Sequence, residues 1–384
     1  MRVFQDHNHI MFQRLTKSII AGLAILTVAS CGKKYSDDEP LPFVPSPSVF
    51  IGSQNGFVYA LNPESGAKKW EFYAGSNIQG TPYLTGDNLY VATENGILYQ
   101  LDAGRGNERK RRYFLGSILS SPIGEGNTLY IGTGNDTMYA ISTDLETIKW
   151  KFPTNGHIFS SPTIAGEKLI FGSNDNKLYA INKADGSLIW AFASPIAGGS
   201  FYSSPAVYGN YVYAGNADGN IYSIRLADGT QRWNYQTTSE IASSPLPYGA
   251  NVIIGGYDHN LYCIDTATGL PRWKVVTNDR IISSPFAMNQ VIYVGSYDYN
   301  FYAINIIDGT IKWKVPTNAL VKSSPLAYKG KVYFGGYDKY LYALDTATGN
   351  TKWKYNVNGL IETSPIIDDN SGTGKYPTIS GATN

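Results

Sequence analysis

The chain has 384 residues, 43% of them hydrophobic and 16% charged, which is apolar enough for a large core and excludes a disordered chain. Forty glycines, thirty tyrosines and nineteen prolines against four methionines describe short tyrosine-rich strands joined by many tight turns, an all-β composition. With 31 Lys and Arg against 30 Asp and Glu the net charge is +1, so there is no surplus of cations for a run of phosphates, which argues against nucleic acid as a partner.

Arg14 and Lys17 precede an apolar run from Ile19 to Ala29, too short to span a bilayer as a helix and suited to the central region of a secretory signal. The run ends in Val28-Ala29-Ser30-Cys31, which resembles a bacterial lipobox, where small residues precede a cysteine that is acylated and becomes the mature N-terminus. The expectation is a lipoprotein signal peptide over residues 1–30 and a lipid anchor at Cys31; an ordinary signal with an incidental cysteine is the alternative. Met11 is a better start for such a signal than Met1, and either start gives the same mature chain. Removing that segment takes away Arg2, Arg14, Lys17 and Asp6 and leaves a net charge of −1, so membrane attachment would rest on acyl chains, at about 0.8 kcal/mol per buried methylene, and not on charge. Residues 31–48 read as an extended tether, stiffened by Pro40, Pro42, Pro45 and Pro47. Gly32 after the cysteine fits release to the outer membrane. Lys33-Lys34 followed by Asp37-Asp38-Glu39 resembles a Bacteroidetes surface-export signal, or is a solvated charged linker, which leaves both the periplasmic and the cell-surface side open.

From Val49 onward one unit of about forty residues repeats eight times. Tryptophans stand at Trp70, Trp150, Trp190, Trp233, Trp273, Trp313 and Trp353, and the missing beat falls on Lys110. Eleven residues before each of these eight positions is a tyrosine: Tyr59, Tyr99, Tyr139, Tyr179, Tyr222, Tyr262, Tyr302 and Tyr342. A proline preceded by a small hydroxyl residue recurs at Pro82, Pro122, Pro162, Pro205, Pro245, Pro285, Pro325 and Pro365.

Each unit predicts four short antiparallel strands, for example Ser323–Ala327, Lys331–Gly335, Tyr340–Asp345 and Lys352–Tyr355. Four such strands per repeat make a propeller blade, so residues 49–384 are expected to form a single, monomeric, eight-bladed β-propeller with a short C-terminal tail. The Asx residue four before each tyrosine, as in Asp338, closes the turn between second and third strands. A glycine four before each tryptophan, as in Gly349, marks the next hairpin; Glu146 is the exception. The Ser-Pro series fits inner strands around a central channel, where side chains must be small and a missing N–H costs little. The first tyrosine precedes the first proline, so the ring is permuted. Thr363-Ser364-Pro365 should supply the inner strand of a blade whose other strands come from Val49 to Tyr73, closing the circle. No role is assigned to residues 374–384.

Ala343-Leu344-Asp345-Thr346-Ala347-Thr348-Gly349-Asn350-Thr351-Lys352-Trp353 is similar to the tryptophan-docking motif of the pyrroloquinoline-quinone type of propeller, and Cys263, Asp265, Gly269 and Trp273 follow the same spacing. The resemblance covers residues 49–366 and implies that the tryptophans form a girdle between blades, broken at Lys110. Two branches share this repeat. Quinoprotein dehydrogenases hold the quinone over a calcium ion and carry a disulfide between adjacent cysteines; this chain has no adjacent cysteines and no cofactor-roofing insertions. The non-enzymatic branch includes BamB, an outer-membrane lipoprotein that scaffolds β-barrel assembly, and lipobox, tether, repeat number and length match it. The resemblance therefore implies a non-catalytic binding or scaffold lipoprotein with an envelope protein or a glycan as partner and no cofactor. A quinone-dependent oxidoreductase with calcium is the alternative.

Few side chains fit catalysis. His157 and His259 lie two units apart, and His259 occupies a turn position held elsewhere by Gly, Asn or Asp; no metal-ligand spacing appears. Glu240 and Glu362 precede inner strands of separate units. Cys263 reads as a buried thiol. Arg105, Arg109, Lys110, Arg111 and Arg112 form a basic cluster on an outermost strand, where charge blocks edge pairing. The position before each Asx reads Gln54, Glu94, Gly134, Asn174, Ala217, Tyr257, Tyr297, Tyr337, so three neighbouring units carry tyrosine. With Arg280, Lys322 and Glu362 these tyrosines form either a binding arc for a peptide or sugar ring, or lids over the hairpins.

Overall fold

In the computed structural model of the chain, residues 46–196, 198–371 and 373–376 are described. The expected signal, Cys31, most of the tether and the last residues of the tail lie outside them. Strand β1 (Ser48–Gly52) begins at the last residue assigned to the tether.

Runs such as Val332-Tyr333-Phe334 and Leu341-Tyr342-Ala343 are apolar on both faces, because the middle strands of each unit are covered by a neighbouring blade on either side. In the last complete unit β29 (Lys331–Gly335) and β30 (Tyr340–Asp345) are buried almost throughout. The outermost strand, β31 (Thr351–Asn356), alternates half-buried and exposed residues. These three strands fall where the sequence places them, within a residue or two. The inner strand does not: β28 spans Leu326–Tyr328 and starts only after Pro325, and the same holds in the other blades. The hydroxyl residues before the proline are committed to bonds between blades and within them, described below, and so lie outside the ladder.

Seven sheets are built of four consecutive antiparallel strands each, and the eighth is closed by the C-terminus. There β32 (Ile366–Asp368) pairs with β1 through Phe50↔Ile366, Val49↔Ile367 and Ser48↔Asp368. The predicted clasp exists, displaced to the residues that follow Thr363-Ser364-Pro365. A fifth strand, β33 (Gly374–Lys375), adds to β32. Tyr376 then reaches the first blade, where its hydroxyl accepts from the Leu84 N–H (2.5 Å) and donates to the Leu84 carbonyl (2.9 Å). The start of the tail thus bridges two blades.

The core is a series of interblade layers. Each indole N–H donates to a carbonyl of the next blade, Trp313 Nε1 to Thr346 O at 3.2 Å and Trp353 Nε1 to Pro63 O at 3.1 Å, for example. Each indole also covers the turn glycine of that blade: a Cβ on Gly349 would lie 2.8 Å from Trp313 Cε3, and its φ of +77° is itself costly for any other residue. Where Lys110 replaces tryptophan, Glu146 replaces the glycine and the two form an ion pair of 2.5 Å. The small residue opposite the indole, Ala in most blades, is Gln100 there. Three irregularities of the repeat are therefore one substitution, spread over two blades.

Candidate functional site

The hydroxyl residues before the prolines make two sets of bonds around the axis. The one adjoining proline accepts from its counterpart in the preceding blade: Thr81 N to Ser121 Oγ, and onward through Ser161, Ser204, Ser244, Ser284 and Ser324, with Ser364 N donating to Thr81 Oγ1, at 2.9–3.1 Å. The residue before it accepts the N–H of the glycine ending the second strand, as in Gly335 N to Ser323 Oγ (3.1 Å) and Gly52 N to Thr363 Oγ1 (3.0 Å). Gly80 lacks a hydroxyl, and the position opposite it is Ala92 in place of glycine. These serines are hub fittings, as the absence of a repeating base beside them implies.

Inside the hub lies a channel of about 1870 Å³. Its wall changes character around the ring. Leu119, Phe159, Tyr202, Ala242 and Ile282 supply an apolar sector, and Lys322, Glu362 and Gln79 a polar one. Tyr257 and Tyr297 stand at the same mouth. Their turns are tied to the loops that enter the inner strands: Tyr257 N donates to Glu240 O, Tyr297 N to Arg280 O and Tyr337 N to Leu320 O, at 2.9, 3.0 and 3.0 Å.

The structure divides the six proposed face residues into two groups. Arg280 lies over the rings of Tyr257 and Tyr297, 5.2 and 4.7 Å from their centroids. Glu362, its side chain 8% exposed, accepts from Lys322 Nζ (2.6 Å), Gln54 Nε2 (2.6 Å) and the Tyr337 hydroxyl. Burial first, and then the Glu362 carboxylate, push the Tyr337 phenol far above its ordinary value. Burial raises Tyr297 to about 12 and lifts Tyr257 more modestly. Tyr337 is thus a strut for a buried carboxylate, and two of the three tyrosine rings are already occupied by a cation. Of the expected arc, Tyr257 and Tyr297 stand with a flanking cation, and Tyr337 is tied to the wall.

The other candidates have structural partners. His259 adopts the left-handed conformation its turn requires, with φ +67° and Nε2 3.9 Å from Asp279. His157 Nδ1 is 2.8 Å from Asp136. The Asx residues do more than close turns: Asp298 and Asp338 also accept the repeat tyrosine hydroxyls of Tyr302 and Tyr342 at 2.5 Å. Cys263 is buried, and that burial pushes its thiol up to about 12. The basic cluster is internally matched: Arg109 pairs with Asp87 and Asp102 at 2.6 and 2.8 Å, Arg111 with Glu108 at 2.6 Å, and Arg112 donates to the Leu145 carbonyl at 2.7 Å.

A calcium-held quinone does not fit these residues. Among the described residues no group of three or more His, Cys, Asp and Glu could hold a metal ion. The one buried carboxylate on the channel wall is already bound by a lysine, a glutamine and a tyrosine.

Comparison with known proteins agrees with the repeat. A comparison with curated proteins gives no match. BamB from Moraxella catarrhalis superposes with a TM-score of 0.63 at 19% identity, over 80% of this chain and 92% of that one. The computationally designed Ika8 protein gives 0.68 at 13% identity over 82% and 94%. A europium-containing methanol dehydrogenase gives 0.67 at 13% identity over 77% and 81%. At these identities the likeness is one of fold alone. The family model for the outer membrane protein assembly factor BamB matches residues 28–113, 108–247 and 241–374, and the chain belongs to that family.

Proposed function

We propose that this chain is a non-catalytic binding or scaffold lipoprotein of the bacterial outer membrane, anchored through Cys31, whose working surface is the channel mouth formed by Tyr257, Arg280 and Tyr297. The observation that carries this reading is the contrast within the ring. Eight copies of one frame hold their serines, tyrosines and turn residues in place, and one sector of one mouth departs from the repeat with a cation, two phenols and an apolar wall. Membership of the BamB family supports an envelope protein as the partner.

Three measurements test it. The Cys31→Ser chain should leave the membrane fraction, and persistence there after carbonate washing would remove the anchor. Pull-down from solubilised outer membranes should recover an envelope protein with the wild-type chain and lose it with Arg280→Met combined with Tyr257→Ala. A dye-linked assay with quinone and calcium added should give no turnover of alcohols or sugars; turnover would reverse the reading in favour of an oxidoreductase.

A further inference from the structure

Aromatic rings at a channel mouth offer flat faces for stacking, but Tyr257 and Tyr297 have theirs engaged by the Arg280 guanidinium. What this mouth presents outward is a set of hydrogen-bond donors. Among the described residues no protein acceptor takes a hydrogen bond from the Arg280 side chain and no carboxylate lies within 4.0 Å of it; its backbone N–H donates to Asp279 Oδ1 and its carbonyl accepts from Tyr297 N. The hydroxyls of Tyr257 and Tyr297 also have no hydrogen-bond partner among the described residues, unlike that of Tyr337. Both phenols keep their protons through the neutral range, as an ordinary tyrosine does at about 10, and burial acts in the same direction.

A guanidinium carries its donors in a planar fork that matches the two oxygens of a carboxylate, and one rested against two rings loses less freedom on binding than a free side chain. We infer that Arg280, rested against the rings of Tyr257 and Tyr297, is a carboxylate-binding site for an acidic side chain or free C-terminus of a protein segment lying across this mouth. The inference rests on the reading of the mouth as a protein-binding face. The surroundings also limit the ligand. Exposed Glu240 acts on Tyr257, and Asp279 adjoins Arg280, so a second negative charge on the ligand meets repulsion. The site therefore favours a single carboxylate among neutral or basic neighbours over an acidic run or a polyuronate. The apolar wall at Tyr202, Ala242 and Ile282 accepts an adjoining apolar side chain.

The test uses the full chain carrying Cys31→Ser and fluorescent amidated pentapeptides with one central glutamate between lysines. The probes for comparison are its glutamine counterpart, that counterpart with a free C-terminus, pentaglutamate and tri-galacturonic acid. The glutamate peptide should bind at least tenfold more tightly than the amidated glutamine peptide, and the free-C-terminus arm distinguishes the two sources of carboxylate. Arg280→Lys, which keeps the charge and loses the fork, and Arg280→Met should each weaken binding at least tenfold while the circular dichroism spectrum is unchanged. Failure of both the glutamate peptide and the free-C-terminus glutamine peptide to bind more tightly than the amidated glutamine peptide, undiminished binding by Arg280→Met, or preference for pentaglutamate or tri-galacturonic acid would overturn the inference. If the peptides fail but the chain still captures its envelope protein, the carboxylate site falls and the binding function stands; if capture fails as well, both fall.

Discussion

At the scale of single residues, the variable tyrosines have unequal roles. Tyr337 is one of three donors to a nearly buried carboxylate, and removing one donor leaves a charged acceptor partly unmatched. Tyr337→Phe should therefore lower stability by about 1.5–3 kcal/mol in a denaturant melt, as hydrogen bonds to charged groups do. Tyr297→Phe, whose hydroxyl has no hydrogen-bond partner among the described residues, should leave the melt unchanged, and an equal loss in both variants would contradict this division. Asp345 and Asp265 illustrate a second residue-scale effect. The Lys352 ammonium and the N–H groups of Thr348 and Ala347 hold Asp345 at about 2, and the N–H of Thr268 with the Arg272 guanidinium does the same for Asp265. Folded values below the ordinary carboxylate range mean that this stabilisation is complete above an unfolded pKa of about 4 and disappears as the pH falls from there through about 2. Melting temperature should drop over that interval, and the Asp345→Asn, Asp265→Asn double variant should show a shallower drop. Raising the ionic strength should shrink the effect, since both carboxylates remain partly open to solvent, the side chains of Asp265 and Asp345 being 19% and 24% exposed.

At the scale of elements, the blades are held by indoles at seven joints and by an ion pair at the eighth. Trp313 buries its ring against Gly349 and donates to Thr346 O, so Trp313→Ala should cost about 3–5 kcal/mol. Lys110 and Glu146 are 44% and 65% exposed, and Lys110→Ala should cost about 0–1 kcal/mol. Comparing the two variants in one urea series checks whether the exceptional joint is the weaker one. The strand order within a blade, the middle strands and the turn positions were all legible in the sequence, because short apolar runs bounded by Gly, Asn and Asp report local geometry directly. The start of the inner strand was not legible. Ser323 and Ser324 have the composition of a strand edge, and only the neighbouring blades show that their hydroxyls are used between Gly335, Ser284 and Thr363.

At the scale of the whole molecule, closure is carried by a few C-terminal residues. Truncation before Thr363 removes β32 and β33, the Thr363 bonds to Gly52 at 3.0 and 2.8 Å, and the Ser364 bond to Thr81 at 3.0 Å. It also bares the edge of β1, a fully buried strand of five residues. The truncated chain should melt well below the full one, by more than the loss of one short terminal strand explains, and should self-associate on a sizing column. Equal melting and a monomeric profile would show that the clasp does not close the ring energetically. The bridge from Tyr376 to Leu84 had no counterpart in the repeat, so internal comparison of the units could not reveal it.

The sequence by itself determined the repeat, the number of blades, the permuted closure and the family, because each depends on spacings along the chain that recur eight times and average out local exceptions. It also marked the sector that departs from the frame, by the tyrosines at 257, 297 and 337. Only the tertiary structure decided what that sector presents. Arg280 and Tyr257 belong to different turns, Tyr337 and Glu362 to different loops, and Lys110 and Glu146 to different blades. Whether a ring is bare or covered, and whether a charge is free or paired, depends on side chains brought together from separate units. No spacing within one unit encodes that distance.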